Sequence, residues 1–122
     1  MPQTRVVFYR EDDGTVPVLE WLDELPRDAL VKCRVRLARL QELGHELRRP
    51  EADYLRDGIY ELRIRLQRVN YRLLYFFHGS AAAVVSHGIV KERRIPPGEI
   101  DMAVRRKQAF ANAPLWHTHE EG

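Results

Sequence analysis

Residues 59–66 read IYELRIRL and alternate without a break. Tyr60, Leu62, Ile64 and Leu66 fall on one side of a strand and Glu61, Arg63 and Arg65 on the other, because successive side chains point to opposite faces. Two more strand-like runs follow, at about 70–78 and 82–90. Their connections are short, near Gln67 to Asn70 and at His78-Gly79-Ser80, so the three runs form antiparallel hairpins. Arg72 opens the second run, and Lys91, Arg93 and Arg94 close the third, with Arg68 in the first hairpin loop. Glu61 is the only acid between Gly58 and Lys91. Like charges brought together across a sheet repel each other. A chain that keeps such a face is expected to bind an anion there, with repeated phosphates the leading candidate. Arginine suits that task because its planar fork grips two phosphate oxygens at once. The plainer alternative is a solvated face balanced by acids such as Glu61 and Glu92.

The rest of the chain frames this sheet. Arg5 to Tyr9 is a short β-branched and aromatic run that predicts a strand. Thr15 is placed to cap a short helix with Pro17 in its first turn. Val18, Trp21, Leu22 and Leu25 then follow helical spacing. Pro26 begins a second helix with Leu30, Cys33, Leu37 and Leu40 as its apolar stripe, and Gly44 ends it. Residues 45–58 read as a polar connection closed by the Asp57-Gly58 turn. Pro96-Pro97-Gly98 halts the sheet. A last helix, about 99–111, sets Ile100, Ala103, Val104 and Phe110 against Arg105, Arg106 and Lys107. The tail 112–122 is polar and expected to fray. The order βααβββα describes an α+β fold in a single domain, 1–122. Its sheet is antiparallel and mixed-edge, of about four strands, with two N-terminal helices on one face and a C-terminal helix.

Net charge is only +2, but it is unevenly spread: residues 1–55 carry 9 Lys/Arg and 11 Asp/Glu, and residues 56–122 carry 11 and 7. The basic excess therefore lies with the sheet and the last helix, as an anionic partner requires. Leu73 to Phe77 and Ala81 to Val85 are the longest apolar runs, far short of the ~20 residues that span a bilayer. The N-terminus has no signal-peptide core. The single cysteine, Cys33, reads as a small buried hydrophobe. These features predict a cytoplasmic protein without a membrane role.

Among groups able to move protons, His87 lies in the third strand near the basic cluster, and it reads as either a structural histidine or an acid–base group. Tyr60, Tyr75 and Phe77 read as core, although strand aromatics also stack on bases; Tyr54 is left open. His117 and His119 offer HxH spacing without a third ligand, so no metal site is expected. Nucleotide-binding loops, nucleophile elbows and zinc-protease motifs are absent.

The segments GIYELRIRLQRVNYRLLYFF and HGIVK, followed by a proline and a basic helix opening on Glu99-Ile100, resemble the phage-derived Gp49-like, HigB-type branch of the RelE toxin superfamily. The resemblance covers roughly residues 55–110. It implies a RelE-like fold and the toxin of a toxin–antitoxin pair. Such toxins are ribosome-associated mRNA interferases that use no metal or other cofactor. The RNA 2′-OH attacks the neighbouring phosphate, and fixed cations stabilise the charge that builds there. By resemblance Arg63, Arg65 and Arg72 act on the scissile phosphate and Lys91 matches the first lysine of the family's motif; outside the resemblance, Arg93 and, from its place near the basic cluster, His87 complete the catalytic candidates. Glu92 stands where a second lysine is common, and Arg93 and Arg94 are placed to compensate. Arg68, Arg94, Arg105, Arg106 and Lys107 are candidate RNA contacts. The implied partners are a helix-turn-helix antitoxin, the ribosome and mRNA, with operator DNA reached only through the antitoxin. The alternative is a toxin-fold protein without nuclease activity: a ParE-like inhibitor of a protein target, or a nucleic-acid-binding accessory factor.

Overall fold

The computed structural model describes residues 4–90 and 93–120. Along the chain lie β1 (Arg5–Tyr9), α1 (Pro17–Asp23), α2 (Arg27–Leu43), β2 (Ala52–Arg56), β3 (Ile59–Leu66), β4 (Val69–His78), β5 (Ala82–Val90), α3 (Pro97–Asn112) and β6 (Thr118–His119). The strands form one sheet in the order β2-β3-β4-β5-β1-β6. Neighbours are antiparallel except β1 and β5, where Arg5 to Phe8 run parallel beside Ala82 to Val85. No helix among the described residues is long and apolar enough to cross a membrane.

The fold is α+β, with six strands where the sequence suggested about four. β2 lies inside the stretch that read as a polar connection. It turns back on β3 through Asp57 and Gly58, whose φ angles of 52° and 81° are both positive. That is the turn that matches the twist of a tight hairpin. β6 lies in the tail that was expected to fray, and His117 explains why it does not. The His117 ring is buried, stacks on Tyr9 at 4.9 Å, and donates from Nδ1 to the Arg10 carbonyl at 2.8 Å. Thr15 does not cap α1: Val16 takes the N-cap position, while the Thr15 N–H donates to Asp13 Oδ1 at 2.9 Å.

Both faces of the sheet carry a core. On one face α1 and α2 bring Val18, Leu22, Ala29, Cys33, Leu37 and Leu40 onto Leu62, Ile64, Leu73, Tyr75 and Val85. On the other α3 brings Ile100, Ala103 and Phe110 onto Ile59, Leu74, Phe76 and Val84. Burial pushes the Cys33 thiol up to about 11, so it stays protonated and unreactive at neutral pH. Gly88 makes room for α1: a Cβ there would lie 2.3 Å from the Trp21 ring. α3 covers this face only in part, and Arg65 of β3 is exposed on it.

Candidate nucleic-acid interface

Register decides where the charges meet. Arg63 on β3 pairs directly with Arg72 on β4, Glu61 with Leu74, and Arg65 with Asn70. Cross-strand partners share a face, so Glu61, Arg63, Arg65 and Arg72 stand together on the α3 side. Two facing guanidinium groups would repel, and Glu61 sits between them. It is only 3% exposed. Its Oε1 accepts from Arg72 Nη1 at 2.5 Å, and its Oε2 lies 3.5 Å from Arg63 Nε. The expectation of an unmatched basic face is therefore corrected for Arg72, which is spoken for. Arg63 is half-committed: its Nε is buried without a hydrogen bond. Arg65 is exposed, and its side chain has no partner among the described residues.

Arg63, Arg65 and Arg72 line a cleft of about 540 Å³ together with Arg36, Pro50, Glu51, Ile64 and Asn70. The cleft exists because β2 is shorter than β3. The last pairing is Ala52 with Leu62, and Arg63 N–H still donates to the Glu51 carbonyl at 2.8 Å. Beyond that point β3 is a free edge. Helix α2 caps it: Lys32 Nζ donates to the Arg65 carbonyl at 2.9 Å, and Arg36 Nη1 donates to the Arg63 carbonyl. Four residues of helix rise about 6 Å and two residues of strand about 6.6 Å, so an i, i+4 pair on α2 meets an i, i+2 pair on β3. Arg36 also lies 3.5 Å from Glu51, which Arg39 grips with two bonds of 3.0 and 3.1 Å. The Arg39 fork, more than Arg36, holds the Glu51 carboxyl below its usual range, so it stays charged. Glu51 is thus a fixed anchor for the cationic wall. Arg36 was not legible as a site residue, because its role depends on where α2 crosses the sheet edge.

The remaining candidates fall into three groups. Tyr71 pairs with Val90, so the chain leaving β5 starts beside Arg72. Arg93 and Arg94 are exposed there, and Arg68 is exposed in the β3–β4 turn with φ of 70°. All three are at the cleft's end of the sheet. Lys91 lies outside the described residues.

The second group is the α3 trio, which the structure separates from the cleft. Lys107 packs its stem over Gly58, at the opposite end of β3. Arg105 is exposed. Arg106 corrects the expectation of an outward side chain. It turns inward, with Nε 2.9 Å from Glu11 Oε1, Nη1 3.2 Å from Ser86 Oγ, and its guanidinium over the Tyr9 ring at 5.6 Å.

The third is His87. A bulge in β5, between the pairs Leu74–His87 and Tyr75–Val85, adds Ser86 to the strand and puts His87 on the α3 face. The ring is 6% exposed, and both of its nitrogens are engaged. Ser86 Oγ lies 2.8 Å and Arg106 Nη1 3.2 Å from Nδ1, and Glu99 Oε1 lies 3.0 Å from Nε2. Arginine can only donate, so Nδ1 accepts and Nε2 carries the proton toward Glu99. Burial, then the Arg106 charge, hold the imidazole below 6.5, outweighing Glu99. This enclosed network positions α3 on the sheet and offers a substrate no free nitrogen. The sign of its pH effect follows. The unfolded chain takes up a proton near 6.5 while the native ring refuses it, so stability is lost as pH falls below that value toward the lowered native pKa. Thermal melts across that window should show the loss, and a His87→Gln variant should flatten it. An unchanged slope in the variant would place the titration elsewhere.

Tyr54 is half-exposed on β2, Tyr75 is fully buried, and Tyr60 and Phe77 are partly buried against the α2-side core. The family model described as Phage derived protein Gp49-like (DUF891) matches residues 20–108. No curated protein matches the chain. The matched span takes in α2, strands β2 to β5 and most of α3, and with them every residue that lines the basic cleft. The chain belongs to the Gp49-like family of phage-derived proteins.

Proposed function

We propose that the chain is the toxin of a toxin–antitoxin pair and cuts mRNA held on the ribosome. The observation that carries this reading is the cleft in which Arg63, Arg65 and Arg72 converge across two strands, with Arg65 exposed in it. In the proposed step the ribose 2′-OH attacks the adjacent phosphorus and the P–O5′ bond breaks. A 2′,3′-cyclic phosphate and a 5′-OH remain. Charge builds on the non-bridging oxygens, and guanidinium groups fixed on a sheet stabilise it without reorganising. Glu61 holds Arg72 in place, and the Glu51 cluster holds Arg36. The 2′-OH proton passes to water or to a group that the ribosome brings, and the departing O5′ takes up a proton from the same source, since His87 is enclosed. Alignment of the message by the ribosome supplies the remaining orientation.

Arg93, Arg94 and Arg68 extend the positive field along the message, and a helix-turn-helix antitoxin covers it. A protein-target inhibitor without nuclease activity has no need of arginines converging in a concave site.

Inducing the chain alone is expected to arrest growth and translation, with primer extension showing new 5′ ends inside translated codons. Co-expression of a helix-turn-helix protein encoded beside it is expected to restore growth. Normal growth at confirmed soluble expression would overturn the toxin reading, and arrest without new 5′ ends would overturn the nuclease reading.

A further inference from the structure

On the α2 side of the loop that carries Glu51, a second cleft of about 460 Å³ opens. Tyr54, Tyr60 and His45 line it, with Arg48, Arg49 and Asp53 on its rim. The aromatic wall is rigid. The Tyr54 hydroxyl accepts from Gly58 N–H at 3.0 Å, which fixes the far end of a ring that is 52% exposed. Tyr60 meets it edge-on at 5.0 Å and stacks in turn on Tyr75 at 5.4 Å. A half-exposed aromatic held this firmly is a surface for a flat ligand, since little side-chain freedom is lost on stacking.

The charges say which flat ligand. Arg48 is exposed, and its side chain makes no ion pair or hydrogen bond among the described residues. Asp53 presents no bare charge, because Oδ2 is 2.8 Å from Arg49 and Oδ1 accepts from the Tyr54 N–H. An aromatic plane beside an unspent guanidinium fits a base with its phosphate. The two clefts flank one loop: Arg48, Arg49, Ala52 and Asp53 face this one, and Pro50 and Glu51 face the other. Tyr60 precedes Ile64 by four residues on β3, roughly 13 Å along the strand. A single strand leaving the arginine cleft over the segment that carries Pro50 and Glu51 reaches the tyrosines within a few nucleotides.

We propose that the Tyr54–Tyr60 cleft is a nucleobase subsite for the same RNA strand, with Tyr54 stacking on a base flanking the cut and Arg48 holding its phosphate. This rests on the phosphate cleft being an RNA site. Stacking on one aromatic is worth about 5- to 150-fold in affinity.

The test is fluorescence anisotropy of a labelled six-nucleotide single-stranded RNA, 2′-O-methylated to block cleavage. It is run at low salt and carried to millimolar protein, with circular dichroism of each variant. Tyr54→Ala is expected to weaken binding by roughly that factor, and Tyr54→Phe, which keeps the ring and loses only the hydroxyl's hold on Gly58, by much less. Arg48→Gln is expected to lower the slope of log affinity against log salt by about 0.7. Binding that Arg65→Ala weakens and Tyr54→Ala leaves intact overturns the subsite alone. Absence of binding by the wild type overturns the subsite and the RNA reading together. Intact RNA binding in Tyr54→Ala with lost capture of the antitoxin would assign the cleft to a protein side chain and overturn the subsite.

Discussion

Replacing Arg72 with alanine is expected to destabilise the protein strongly, so that lost stability and lost chemistry are confounded. Its side chain is 11% exposed and carries the shortest bond to Glu61, itself 3% exposed. Removing it leaves a buried carboxylate with Arg63, at 3.5 Å and poorly placed, as its remaining ion-pair partner among the described residues. Breaking a buried pair from one side costs about 3–5 kcal/mol, and the residual Arg63 contact argues for the lower end. About 3 kcal/mol lowers the melting temperature by on the order of 10 °C in a chain this size. Replacing both partners by apolar groups, Glu61→Leu with Arg72→Met, is expected to recover most of that loss, because the desolvation cost vanishes along with the pair. Thermal melts of the two single variants and the double variant measure the coupling directly. An R72A melting point within error of wild type would show that Glu61 does not depend on Arg72.

Arg65→Ala, in contrast, is expected to leave stability within about 0.5 kcal/mol of wild type. The side chain is exposed, so its removal strands no buried group. If the cleft holds a scissile phosphate, loss of one transition-state donor costs about 10²–10³ in cleavage rate. Arg65→Lys should recover only part of it, since a point charge replaces a fork. Primer extension on translated messages reads the rate. Undiminished cleavage by a folded R65A protein would remove Arg65 from the site. The pair of experiments separates two effects that a toxicity screen of Arg72 alone would merge.

β3 and the three helices were legible because each carries a regular period that burial enforces, and β4 and β5 because each is an apolar run bounded by short turn signals. β2 was not, although its signal was present. Asp57-Gly58 is the turn of a tight hairpin, and a hairpin needs a strand on both sides. Ala52 to Arg56 alternates too weakly to announce itself beside Pro50. β6 has only two residues and exists because His117 stacks on Tyr9, more than a hundred residues earlier in the chain. Alternation placed Arg63 and Arg65 on one face, and it placed Glu61 there as well. That Glu61 is buried and binds Arg72 depends on cover from neighbouring elements, which no local pattern reveals. Arg106 follows the polar side of α3 in sequence, yet Glu11 and Ser86 draw it in. The bulge at Ser86 leaves no trace in composition, and it alone decides which face His87 joins.

The parallel pairing of β1 with β5 sets a clock on synthesis. Arg5 finds its partner only in Ala82. Translation at ~5–20 residues per second leaves the run from Val6 to Tyr9 unpaired for roughly 4–15 s. β1 lies between β5 and β6 in the sheet, so both of its edges stay open during that interval. An apolar strand with two open edges is an invitation to pair with another chain. α2, β3 and β4, which build the arginine cleft, have meanwhile all emerged. The wall of the site can therefore form well before the sheet that steadies it is complete, and crowded synthesis puts β1 at risk before it puts the cleft at risk.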